Sequence, residues 1–406
     1  MTNRARETKA LADAYVMPTY RRYPVELVRG EGVWLEDAGG RRYLDFVAGV
    51  AVNALGHGHP AVSEAVARQI GLLVHTSNLY YTRPMAELAE RLCALLGWED
   101  GRVFFANSGA EANECAIKLV RRWSRDRFSP DRIETIAAYG SFHGRTLETL
   151  AATGQPAKWE PFEPLPPGFA HVPYDDAPAL EAAVNERTAS VLLEPVLGEG
   201  GVVVPSPGYF PAVRAICDAR RLAFVADEVQ TGLGRTGEWF AFQPTGSVPD
   251  VVTLAKALGG GLPIGACVAR GELAGAFHPG DHASTMGGGP VVCAAALAVL
   301  DVIENAGLVE RARATGRRLR AGLEELAARH ELCVGVRGAG LLLALGLNRE
   351  VARDVVLRAL ERGLLVNDVT PSTLRLSPPL IVSDGDCQRA VEILDEALSE
   401  AEGVAA

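Results

Sequence analysis

Two apolar runs of strand length end on groups that can do chemistry. Residues 222–226 lead into Asp227, and residues 251–255 lead into Lys256. In open α/β sheets ligands sit outside the carboxyl ends of the strands. A carboxylate and an amine would then face one crevice. A carboxylate can pair with a basic ring nitrogen and an amine can condense with an aldehyde. Pyridoxal phosphate (PLP) asks for both.

The lysine census sharpens this. Among 406 residues there are four lysines: Lys9, Lys118, Lys158 and Lys256. Arginine stays protonated and cannot form a Schiff base. Lys9 lies in a polar N-terminal arm, Lys118 falls mid-helix by pattern, and Lys158 sits in a loop-like Pro-Ala-Lys-Trp-Glu segment. Lys256 alone stands at a strand end before glycines, where backbone can approach a ligand closely. Taken singly, a lysine facing water at a strand end is the plainer reading.

Residues 102–106 read as a buried strand and 107–123 as the helix that follows. Ser108 and Glu111 have the spacing of a capping box, which explains a helix start by itself. The same geometry, with Gly109 in the first turn, offers free N–H groups and positive dipole charge to a phosphate. Strand 133–138 precedes Tyr139 to Thr146, where Phe142 could stack on a flat ring and Arg145 could grip a carboxylate bidentately. Ordinary core and a surface ion pair are the plain readings of these two. Strand 189–194 leads to a glycine-rich loop with Glu199. Strand 264–269, the loop 282–290 and an apolar helix 291–305 follow. From residue 308 an amphipathic helix, short strands and a last helix, 384–402, form an α+β unit. The N-terminal 50 residues read as a polar arm and a small meander. His57 and His59 have no third ligand nearby, so glycine and proline punctuation accounts for their loop and no metal is expected.

Composition bounds the class. A net charge of −10 with no basic stripe argues against nucleic acid. The seven cysteines form no CxxC pair and read as reduced thiols of a cytoplasmic protein. No secretory pattern opens the sequence, and the longest apolar run, 291–300, is far short of the roughly 20 residues a membrane helix needs. Neither GxxxxGK[ST] nor a GxGxxG opening a βαβ unit is present, which weakens a nucleotide-binding reading.

Six stretches together resemble the subgroup III aminotransferases of PLP fold type I, over nearly the whole chain. They are Leu55-Gly56-His57-Gly58-His59-Pro60, Asn107-Ser108-Gly109-Ala110-Glu111-Ala112-Asn113, Phe142-His143-Gly144-Arg145, Glu194-Pro195 with Gly198-Glu199-Gly200-Gly201, Asp227-Glu228-Val229-Gln230-Thr231-Gly232, and Ala255-Lys256-Ala257-Leu258-Gly259-Gly260-Gly261. Within the group the acetylornithine type is nearest and the ornithine type close to it. The resemblance implies an α/β fold whose large domain, residues 51–306, has a mostly parallel seven-stranded sheet sandwiched by helices. The smaller α+β domain, 307–406, would pack with the N-terminal arm and meander, 1–50. It implies that Lys256 bonds the cofactor and that Asp227 pairs with the pyridinium nitrogen. Phe142 and Val229 would sandwich the ring, and Gln230 would reach its phenolic oxygen. Ser108, Gly109 and Ala110 would hold the phosphate, completed by Thr285 of a neighbouring subunit in a homodimer. Arg145 and Ser284 would meet the substrate's α-amino-acid end, and Glu199 with Arg375 would switch between amine and dicarboxylate. The implied reaction moves the terminal amine of N-acetylornithine to 2-oxoglutarate. Ornithine, succinylornithine, 4-aminobutyrate and carrier-bound lysine stay open as donors. Ala110, Met286 and Gly289 depart from the family's usual threonine, tyrosine and asparagine. Tyr20, Asn78 and Tyr80 fit either a substrate tunnel or an interface.

Overall fold

The computed structural model describes residues 3–403. Its centre is a seven-stranded sheet of β4 (Arg102–Ala106), β5 (Glu134–Ala138), β6 (Phe169–Val172), β7 (Thr188–Leu193), β8 (Ala223–Asp227), β9 (Val251–Leu254) and β10 (Gly265–Ala269), after β1 (Leu27–Glu31), β2 (Trp34–Asp37) and β3 (Arg42–Asp45) of the N-terminal segment. The spatial order is β4-β10-β9-β8-β7-β5-β6, and β10 alone runs against the others. Strands β7 to β10 are buried along their whole length. Helices on both faces leave no wet side, which is why these strands read as unbroken apolar runs rather than alternating ones.

Two smaller sheets lie outside it. The C-terminal segment contributes β11 (Cys333–Ala339), β12 (Leu342–Leu347), β14 (Asn367–Thr370) and β15 (Thr373–Leu376), ordered β11-β12-β15-β14. Its short β13 (Leu364–Leu365) instead joins the N-terminal meander, with Leu364 opposite Leu44 in parallel register. The N-terminal meander and the C-terminal segment are therefore hydrogen-bonded to each other, with the Leu44 N–H donating to the Gly363 carbonyl and the Phe46 N–H to that of Leu365. The apolar helix Pro290–Asn305 packs against helices Pro60–Leu72 and Arg83–Leu96. No single helix among the described residues is long and apolar enough to cross a membrane.

Strand and long-helix boundaries fall within a few residues of those read from sequence. Two short helices, Leu147–Ala152 and Ala177–Ala183, lie where the sequence pattern assigned no element. A further departure is residues 48–51, Ala-Gly-Val-Ala, which all have positive φ (49°, 62°, 65° and 63°). They close a left-handed helical turn in which the Val52 N–H donates to the Ala48 carbonyl at 2.8 Å. For L-residues each such position costs about 1–2 kcal/mol, and a β-branched residue there is an outlier.

Candidate active site

Strands β8 and β9 pair in parallel with Asp227 opposite Thr253, so Asp227 and Lys256 leave the same edge of the sheet. Lys256 takes φ +38° as the chain turns into the short helical segment Lys256–Gly259. A lysine in that region is strained, and strain of this kind is held by its surroundings, often at functional sites. Burial pushes its ammonium below the ordinary lysine range, against the opposing pull of Glu199.

Asp227 is buried and oriented by three donors. Its Oδ1 accepts the Val229 N–H at 3.0 Å; its Oδ2 accepts Asn113 Nδ2 and His143 Nδ1, each at 2.8 Å. Asn113 is itself fixed, donating to the His143 carbonyl at 2.8 Å and accepting from Thr253 Oγ1 at 2.7 Å. Asp227 lines the cavity, where its carboxylate could hold a protonated ring nitrogen.

The helix Gly109–Arg127 opens beside them. Ser108 is its N-cap, and its Oγ accepts the Glu111 N–H at 3.2 Å. The return half of the capping box is shifted by one residue, for Glu111 Oε2 accepts the Asn107 N–H at 2.5 Å rather than that of Ser108. The N–H groups of Gly109 and Ala110 are among those that no intrahelical carbonyl can reach. A Cβ on Gly109 would stand 2.7 Å from Val229 Cγ1, and one on Gly265 2.2 Å from the Ser108 carbonyl. Both positions need glycine because backbone and side chain meet there too closely for a methyl group. A helix start with free donors, a carboxylate and an amine around one hollow fits a flat, phosphate-bearing aldehyde cofactor.

One cavity of about 440 Å³ gathers every residue expected at the site except Arg375, Ser284 and Thr285. Arg375, 1% exposed, stands behind the wall. Its Nη1 donates to Glu199 Oε1 at 2.5 Å, to Gln230 Oε1 at 3.1 Å and to the Gly198 carbonyl at 3.2 Å. Gln230 Nε2 also donates to Glu199, at 3.1 Å, so its amide is engaged by this pair. Burial would raise the Glu199 carboxyl, but Arg375 and Lys256 overcome it and hold it down to about 2. Arg145 is exposed at the cavity, 5.6 Å from the Phe142 ring.

The family model for class III aminotransferases matches residues 15–398. This chain belongs to the class III aminotransferases. The aminotransferase is 49% identical over 386 residues to the acetylornithine aminotransferase of Caldanaerobacter subterraneus subsp. tengcongensis, covering 95% of this chain and 98% of that one. It is 52% identical to the Mycobacterium bovis acetylornithine aminotransferase, with 96% of each chain covered. Among solved structures, the ornithine aminotransferase from Toxoplasma gondii ME49 superposes with a TM-score of 0.94 at 32% identity, covering 98% of this chain and 96% of that one. The acetylornithine aminotransferase from Elizabethkingia anophelis gives 0.87 at 34% identity, covering 98% and 99%.

Within one chain of the aminotransferase, Ser284 and Thr285 line a separate cavity of about 400 Å³, beside Asn107 and His282. Ser284 Oγ accepts the Gly287 N–H at 2.9 Å and Asn107 Nδ2 at 3.3 Å. Asn78 Nδ2 donates to the carbonyls of Ser284 and Gly287, at 3.0 and 3.1 Å, so it tethers this loop. Sequence reasoning assigned no role to His143, Asn113 or Glu194. Asn113 lies one turn after Gly109 and so shares its helix face. Glu194 follows β7 as Asp227 ends β8, and the same strand-end rule would have found it. It accepts the N–H groups of Phe142 and Gly198, at 2.8 and 3.1 Å, tying two cavity loops together. Burial raises its carboxyl to about 7, with His143 opposing.

Proposed function

We propose that this aminotransferase uses pyridoxal 5′-phosphate to move the terminal amine of N-acetylornithine to 2-oxoglutarate. The products are N-acetylglutamate 5-semialdehyde and glutamate, a step of arginine biosynthesis. The observation that carries the reading is the Glu199–Arg375 pair at the wall of the cavity. With Arg375 neutralised, Arg145, exposed at the cavity, is open to a monocarboxylate donor. A donor gripped there by its α-carboxylate presents its far end to Lys256, so the distal amine reacts. Identity near 50% to acetylornithine aminotransferases favours the acylated donor. The ornithine aminotransferase neighbour makes ornithine the second candidate.

When bound, the cofactor supplies an aldehyde carbon and an electron-withdrawing ring. In this reading Lys256 would be the residue that holds the aldehyde carbon, and its free amine would be the group that moves the proton at the amine-bearing carbon of the donor. The depressed Lys256 ammonium suits a general base, which must be unprotonated near neutral pH. Asp227, held in place by His143 and Asn113, would keep the ring nitrogen protonated. Val229 and Phe142 would cover the ring, and Gln230 would serve its phenolic oxygen on leaving Glu199 and Arg375. The N–H groups of Ser108, Gly109 and Ala110 would receive the phosphate. Arg375 takes a carboxylate of the 2-oxo acid when Glu199 releases it.

Thr285 serves the neighbouring subunit in this reading, with Ser284 meeting the substrate there. Its support is that Ser284 and Thr285 line a different cavity from that of Lys256 in the same chain, and that Leu79, Tyr80, Tyr81 and Met286 are exposed, apolar groups suited to a second copy of the chain. The division into 1–50 with 307–406 and 51–306 belongs to the same reading, supported by the β3–β13 pairing. A cytoplasmic setting is supported by seven cysteines in no disulfide among the described residues.

The test is a visible spectrum of the protein with PLP, then with N-acetylornithine and no acceptor. A bound-cofactor band that bleaches with release of the semialdehyde is the expected outcome. A band that responds to ornithine or 4-aminobutyrate and ignores N-acetylornithine overturns the donor. Absence of any band overturns the cofactor.

A further inference from the structure

Lys158 is the one lysine of the four that neither the helix pattern, the N-terminal arm nor the strand-end chemistry explains. It lies in a short helical turn, Pro156–Lys158, and stands against Phe142, which lines the cavity together with Arg145; Lys158 itself is one layer out from that lining. Its Nζ stands 5.3 Å from the centroid of the Phe142 ring, and the Arg145 guanidinium stands 5.6 Å from the same centroid. Two cations therefore converge on one ring that lines the cavity. Among the described residues neither forms an ion pair with a carboxylate. Like charges held close without an acid between them repel, and the arrangement is relieved when an anion joins them.

The position of Lys158 is set in advance. Gln155 Nε2 donates to the Ser141 carbonyl at 3.1 Å and to the Gly140 carbonyl at 3.4 Å, which fixes its amide. Gln155 Oε1 is thereby turned outward and accepts from the Lys158 ammonium. Two of the three ammonium donors remain for other partners. Burial and the nearby Arg145 lower the Lys158 ammonium from its ordinary value, opposed by Glu199 and Glu194, so it senses the charges of the cavity.

We infer that Lys158 and Arg145 together form a two-cation seat for the distal carboxylate of the substrate, making Lys158 a specificity-determining residue. The inference rests on the reading above. Both half-reactions present a carboxylate at the same end: the α-carboxylate of the acylated amino acid and the far carboxylate of the 2-oxo dicarboxylic acid. One seat serves both, while Glu199 and Arg375 handle the end that differs.

The test compares Lys158→Met and Lys158→Arg with the wild-type holoenzyme. Three substrates are used: N-acetylornithine, 2-oxoglutarate, and 1,5-diaminopentane as an amine without a carboxylate. The expected result for Lys158→Met is a KM about tenfold higher for the two carboxylate substrates, the ratio lost with one charge-assisted hydrogen bond. Its kcat stays within about twofold, the signature of lost uniform binding. Lys158→Arg restores most of the affinity, and kcat/KM for 1,5-diaminopentane is unchanged. An equal loss on 1,5-diaminopentane shows that Lys158 only props Phe142 and overturns the seat, as does an unchanged KM for 2-oxoglutarate. Calorimetric binding of glutarate, weakened by Lys158→Met, reads the seat without turnover. It separates this inference from the donor assignment, which fails if the wild type ignores N-acetylornithine.

Discussion

At the scale of single residues, the wall of the cavity is governed by which carboxylates keep their protons. Glu199 is held ionised by Arg375, and Glu199→Gln releases that guanidinium. The expected outcome is a lower KM for glutamate and a higher relative rate with α-amino dicarboxylates, read as the ratio of kcat/KM for glutamate to that for N-acetylornithine. Glu228, buried beyond Asp227, behaves in the opposite sense. Its carboxyl accepts the Phe242 N–H at 2.9 Å and the Thr231 hydroxyl at 2.5 Å, and burial raises it to about 7 from an ordinary 4.5. Folding raises this pKa, so the linked stability is fully present below about 4.5 and is lost as pH rises through about 7. Glu228→Gln removes that dependence. Denaturant midpoints measured across this window should fall less steeply for the variant than for the wild type. Lys256 was legible because strand-end position and lysine scarcity both single it out. Lys158 was not, because a loop lysine carries no periodicity and its partners, Gln155 and Phe142, are brought to it only by the fold.

At the scale of elements, the start of helix Gly109–Arg127 is packed against the loop after β8, with Gly109 close against Val229. Gly109→Ala drives a methyl group to 2.7 Å from Val229 Cγ1. It should weaken PLP binding about tenfold or more, read by cofactor titration, and Val229→Ala in the same chain should recover part of the loss. Recovery by the second change separates a local clash from general unfolding, since residues in contact couple and distant ones do not. The long elements were readable because β7 to β10 are buried on both faces and so appear as unbroken apolar runs between glycines. The helices Leu147–Ala152 and Ala177–Ala183 are too short for their periodicity to show. The left-handed turn at 48–51 was invisible for another reason. Only Gly49 among its residues favours positive φ, so tertiary packing rather than local preference sets that conformation.

At the scale of the whole molecule, the proposed homodimer makes each site a product of two chains. Lys256→Ala and Thr285→Val would each impair every site of their own dimer. In a hybrid of the two, one site carries both changes and the other carries neither. Mixing the variants under conditions that exchange subunits should return roughly a quarter of wild-type activity, from half the dimers having one intact site. No recovery, with exchange verified by mass, would show that Thr285 serves its own chain. The alternative placements of Asn78 and Tyr80, open from sequence, are narrowed by the fold. Asn78 holds the Ser284 loop and Tyr80 stands exposed beside it. The sequence could not settle this, because burial in a second copy leaves no trace in the periodicity of one chain.

The left-handed turn next to the cavity wall has a consequence for how this chain tolerates change. Along a right-handed helix alanine is favoured and glycine is penalised. Over residues 48–51 that ranking inverts, since glycine and asparagine reach positive φ readily and β-branched residues resist it. A saturation scan that scored the chain by an ordinary helix scale would misjudge all four positions. At Val50, with φ 65°, it would mark glycine as damaging where the backbone would welcome it. Val52, just past the turn, lines the cavity. Drift in this stretch is therefore a route by which substrate preference could change while the sheet, the lysine and the aspartate stay as they are.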